Sequence, residues 1–178
     1  MFKTRELALI IILSAIGGAV SVPLGYAGNL LNTVPLLPFG SPQILSGVHV
    51  LWLLLARLIT RRTGAATFAG AVKGLVEVSL FSFHGVQVLP ISIVEGIILD
   101  LVLSIPGNTS TVKVAVAGGL SASSNVLILW LLLLQALSPL VIVFMWLLSL
   151  ISGVIVGFFG EYASRRVASM IGMASPSI

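Results

Sequence analysis

The chain has 178 residues, 58% of them hydrophobic and 8% charged, with a mean hydropathy of +1.19 and a net charge of +4. Globular proteins carry roughly 25% charged residues, so a soluble fold of this size could not hide so much apolar surface, and the bilayer has to be its solvent. The pI of 10.1 does not point to nucleic acid, because the basic residues gather at the ends of apolar runs, where membrane topology places them.

A spanning helix needs about 20 apolar residues to cross roughly 30 Å of hydrocarbon. Six runs meet that need, at 7–23, 44–60, 65–83, 88–105, 112–135 and 140–162. The first is flanked by Lys3 and Arg5 and ends in no Ala-x-Ala site, so it reads as a span and not as a cleaved leader. A Pro-, Gly- and Asn-rich stretch from Pro23 to Pro42 follows, and residues 24–43 are expected to be a long loop that folds over a bound solute. Arg61-Arg62-Thr63-Gly64, His84-Gly85, Pro106-Gly107-Asn108 and Ser138-Pro139 supply the later breaks. Together these imply an all-α, six-helix transmembrane bundle filling 1–178 as a single integral membrane domain.

Lys3, Arg5, Arg57, Arg61, Arg62, Lys113, Arg165 and Arg166 all fall on one side of such a bundle, and the loops on the other side hold no Lys or Arg. By the positive-inside rule both termini are then cytoplasmic, in a multi-pass protein of the cell membrane. Small residues recur at helix-packing spacing. They form the stripes Ala15/Ala19, Ala66/Gly70/Gly74, Ala115/Gly119/Ser123 and Gly153/Gly157. Packing within the bundle explains such stripes, and the Ala15/Ala19 stripe could instead face another membrane subunit.

Four ionisable residues lie too deep to be helix-end anchors: Lys73 and Glu77 in the third run, Glu95 and Asp100 in the fourth. Charge at mid-span costs about 2.5–3.5 kcal/mol on insertion scales, so these groups should face a partner or a cavity. A hairpin turning near Gly85–Val86 puts Glu77 level with Glu95 and Lys73 level with Asp100. Lys73 can neutralise Asp100 or Glu77; with Asp100 it is assigned as a structural charge pair. Three carboxylates against one ammonium leave negative charge over, which suits a cation or a heterocycle with several donors. Glu77 and Glu95 are therefore assigned to substrate. His49, Trp52, His84 and Asn125 could line the same cavity, and Tyr26 and Asn29 could reach it from the long loop. An isolated His or Asn inside a bundle serves equally well as glue between helices.

Several chemistries lack their signatures. There is no phosphate-binding G-x-x-x-x-G-K-[ST], no H-E-x-x-H for zinc, no G-x-S-x-G and no cysteine. No nucleophile–base pair, catalytic residue, metal site or cofactor is expected, and the chain does not read as an enzyme.

Gly28-Asn29-Leu30-Leu31, Gly64-Ala65-Ala66, Leu75-Val76-Glu77 and Ile93-Val94-Glu95-Gly96 with Asp100 resemble the substrate-binding S component of energy-coupling-factor (ECF) transporters. More narrowly they are similar to the YkoE-like group associated with thiamin or its hydroxymethylpyrimidine precursor. The resemblance covers the first two-thirds of the chain. It implies a vitamin as substrate, with a transmembrane coupling (T) subunit and two cytoplasmic ATPases as partners. It would also give Ala15 and Ala19 the docking role. Riboflavin or biotin capture, or a self-sufficient proton-coupled carrier using Glu77, Glu95 and Asp100, are the alternative readings; nucleic acid is not a partner.

Overall fold

A computed structural model describes residues 2–34, 41–82, 85–107 and 109–172. Six α-helices follow in order: α1 Thr4–Leu31, α2 Ser46–Thr60, α3 Ala65–Ser79, α4 Val88–Ser104, α5 Thr111–Leu132 and α6 Pro139–Met170. Short 3-10 turns at Ser41–Leu45 and Gly85–Gln87 lead into α2 and α4, and the described residues contain no strand. Five of these stretches are long and apolar enough to cross a membrane. The exception, α3, has 15 residues and spans only about 22 Å at ~1.5 Å per residue.

Local chemistry accounts for the helix boundaries. Pro139 opens α6 at a position where its missing N–H is no loss. Ser110 caps α5 by accepting from the Lys113 N–H at 3.3 Å. The end of α3 is a Schellman motif: the Phe81 N–H donates to Val78 O and the Ser82 N–H to Glu77 O. Phe81 there has φ +56, the left-handed conformation usually left to glycine.

Three expected boundaries are corrected, one of them the end of the sixth helix, which runs past residue 162 to Met170. The first helix does not stop at residue 23; it runs through Pro23 to Leu31, so 24–31 is helix and not loop. Proline removes one backbone donor but does not end a helix whose remaining turns are held by packing. Residues 35–40 of the expected loop lie outside the described residues, and 41–45 form the 3-10 turn. The third helix ends at Ser79 and not at residue 83.

In the packing, α2 touches all five other helices and is the axis of the bundle, while α1, α3, α4, α5 and α6 adjoin in that order around it. The Ser41–Leu45 turn contacts both α1 and α6. It is pinned by Ser152, whose Oγ donates to Ile44 O at 2.6 Å and accepts from the Gly47 N–H at 3.0 Å. Apolar side chains point to lipid as well as inward, so close approach has to hold the helices together. At Gly70 a Cβ would lie 2.1 Å from Ser92 O, and at Gly118 it would lie 2.5 Å from Gly153 O. The α3–α4 and α5–α6 pairs thus meet backbone to backbone.

Candidate functional site

A cavity of about 290 Å³ opens at the end of the bundle where α1 finishes. Gly25, Gly28, Asn29 and Asn32 form one wall, the Pro42–Ser46 stretch a second, and Leu129, Leu133 and Met145 a third. His49 of α2 and Asn125 of α5 lie on its surface and also line a smaller recess of about 30 Å³. Lys73, Glu77, Ser92 and Glu95 complete the recess. The two spaces therefore share a wall at His49 and Asn125, and the charged cluster lies behind the larger cavity.

Charge pairing sets the chemistry of the recess. Lys73 Nζ donates to Glu77 Oε1 and lies 3.4 Å from Ser92 Oγ, with both charged side chains almost wholly buried. Glu6, Glu77, Asp100 and Glu161 each form an ion pair, with Arg62, Lys73, Arg57 and Arg165 respectively. Glu95 forms none among the described residues; it is 1% exposed, and its Oε1 has no hydrogen-bond partner among them. Asn125 Oδ1, at the junction with the larger cavity, is also buried and unpartnered. Two acceptors without donors in one low-dielectric space cost free energy that a ligand with N–H groups or positive charge would recover.

Asp100 is not paired with Lys73, which corrects the expected structural pair. Its carboxylate lies 3.1 Å from Arg57 Nε and accepts from Thr67 N at 2.8 Å, Thr67 Oγ1 at 2.7 Å and Ala66 N at 3.4 Å. The residue before α3 is Gly64, which has no side chain to cap the helix, so α4 supplies the missing acceptor from outside. The cause is register. Gly70 lies against Ser92, Gly74 against Leu89 and Gly96 against Ala66, so the hairpin midpoint falls near Ser82 and not at Gly85–Val86. Lys73 then lies between Glu77 and Glu95 in depth, and Glu77 and Glu95 are not level. The recess holds one ammonium and two carboxylates, not three.

Five of the expected site residues border these two spaces: Glu77, Glu95, His49 and Asn125 line the recess, and Asn29 lines the cavity. Tyr26 lines neither. It is half exposed, and its hydroxyl donates to Phe81 O at 2.9 Å, tying α1 to the end of α3. Trp52 lies against Gly17 of α1 in the helix interface, because that glycine leaves room for its ring. His84 is outside the described residues. Ala15 and Ala19 are exposed beside Ile12, Ile16 and Val20 on the outer face of α1, so packing within this bundle does not use them. Ser92, Asn32 and Gln43 were not among the assigned site residues. Ser92 sits one turn before Glu95 and Asn32 one turn after Asn29, a same-face spacing that could have flagged both. No sequence signal marks Gln43.

The family model described as "ABC-type cobalt transport system, permease component" matches residues 5–125, from the start of α1 into α5. A crystal structure described as an S-component of an ECF transporter is similar to this chain at 24% identity with a TM-score of 0.87, covering 98% of this chain and 91% of that one. No curated protein matches.

Proposed function

We propose that this chain, which belongs to the permease-component family of ABC-type cobalt transport systems, is the substrate-capturing S component of an ECF importer. It is a multi-pass membrane transport protein of the plasma membrane and not an enzyme. Its bound solute, in this reading, is thiamin or a hydroxymethylpyrimidine-like precursor. The body of the solute occupies the larger cavity, and its cationic or amino group faces the recess. A coupling subunit and two cytoplasmic ATPases supply the energy, and the basic helix ends, with both termini, face the cytoplasm.

The observation that carries this reading is the unpartnered Glu95 Oε1 beside the unpartnered Asn125 Oδ1, behind a cavity large enough for a small molecule. The family description names cobalt, but the donor set favours an organic solute. The described residues contain no cluster of three His, Asp or Glu side chains able to hold a metal ion, and the Lys73 ammonium in the recess would repel a dication.

A thermal-shift screen of the purified protein against thiamin, hydroxymethylpyrimidine, riboflavin, biotin and Co²⁺ tests the assignment. A ligand at 100 times its dissociation constant adds about 2.7 kcal/mol of stability. Stabilisation by thiamin or the pyrimidine is the expected result, and stabilisation by Co²⁺ alone would overturn the substrate class. Uptake that persists without the ATPases would replace the S component with a proton-coupled carrier.

A further inference from the structure

A glycine inside a helix gives up more backbone freedom than alanine does, so its presence asks for a cause. Packing supplies that cause at most helical glycines of this bundle. A Cβ would come within 2.4 Å of Ala66 O at Gly96, 2.5 Å of Ser152 O at Gly47, 2.6 Å of Trp52 at Gly17 and 2.7 Å of Val76 at Gly18. Gly28 differs. Its nearest neighbours would be Pro42 Cβ at 3.4 Å and Leu45 Cδ1 at 3.7 Å, which are ordinary contacts, and its φ is not in the left-handed region. Neither the fold nor the backbone demands glycine there.

Gly28 does line the larger cavity, beside Asn29 and across from Leu129, Leu133 and Met145. We infer that Gly28 is a specificity-determining residue: its bare backbone sets the clearance of the cavity so that the flat ring of a planar, ring-bearing substrate lies against α1. One face of the ring then meets main chain at Gly28, and the other meets apolar Leu129 and Leu133 and the polarisable thioether of Met145, which suits an aromatic system. The polar edge of such a ring points to Asn29 on one side and toward Asn125 on the other. A methyl group at position 28 fits the empty protein but occupies the space that the ring requires. This inference rests on the cavity being the substrate site of an S component.

The test uses full-length protein in detergent with thiamin as probe, reading melting temperature and dissociation constant for wild type, Gly28→Ala, Gly28→Leu and Glu95→Gln. Gly28→Ala should melt at or above the wild-type temperature without ligand yet bind thiamin about tenfold more weakly, the usual effect of one methyl group in a pocket. Gly28→Leu should bind more weakly still. A lowered melting temperature in Gly28→Ala would make the glycine a packing residue and overturn the inference. So would unchanged affinity in both position-28 variants; if Glu95→Gln weakened binding in that case, the site reading would survive alone. Failure of the wild type to bind thiamin would sink the site reading and this inference with it.

Discussion

Replacing Asp100 with Asn should destabilise the protein while leaving substrate binding nearly intact. The carboxylate lies 3.1 Å from Arg57 Nε, and the two side chains are 6% and 11% exposed. Removing one member of a buried ion pair costs about 3–5 kcal/mol, because the other charge stays buried alone. Asparagine keeps one oxygen for the Thr67 N–H, which recovers about 1 kcal/mol, so a loss of about 2–4 kcal/mol is expected. Arg57→Met should cost less, about 1–2 kcal/mol, because the abandoned carboxylate keeps the Thr67 donors and the positive end of α3. The assay is reversible unfolding in detergent micelles, with ligand affinity measured well below the melting temperature. Asp100 lines neither the cavity nor the recess, so affinity should stay within about threefold, under 0.7 kcal/mol. Full stability in Asp100→Asn with affinity lost would refute the trans-capping role and place this residue in the substrate site instead. A larger loss for Arg57→Met than for Asp100→Asn would refute the part given to the α3 terminus.

The other perturbations separate binding from folding and from coupling. Glu95→Gln keeps shape and replaces the unpartnered carboxyl with an amide, so affinity should fall about tenfold or more with no loss of melting temperature. Glu77→Gln should lower both, since it also strips Lys73 of its partner; equal melting temperatures for the two variants would contradict the ion-pair assignment. Ala15→Trp or Ala19→Trp, on the exposed face of α1, should abolish ATP-driven uptake in the assembled transporter while ligand binding by the isolated chain persists. Binding lost in those variants would place the stripe inside the fold of this subunit. Phe81→Gly should relieve the left-handed backbone at the end of α3 and raise stability by about 1 kcal/mol, read from the same unfolding assay.

Hydropathy alone determined that this is a helical membrane protein with six helices, because apolar length along a chain is a one-dimensional property and lipid reads it directly. Sequence also singled out Lys73, Glu77 and Glu95. A charge amid apolar residues is conspicuous wherever the helices end up, and these three did come together around one recess. Which charge meets which was not readable. It depends on the register of α3 against α4, set by where Gly70 and Gly96 let the two backbones touch and by a helix end at Ser79 that hydropathy could not place. Asp100 was thereby moved from Lys73 to Arg57 and the start of α3. Tyr26 and Trp52 were misplaced for a related reason. A residue's depth follows from its position in the chain, but the direction it faces follows from the neighbours that pack on its helix, Phe81 for one and Gly17 for the other. Pro23, a breaker when judged from local propensity, sits inside α1 because contacts along the helix outweigh one missing hydrogen bond, and that continuation carries Gly28 and Asn29 to the cavity wall.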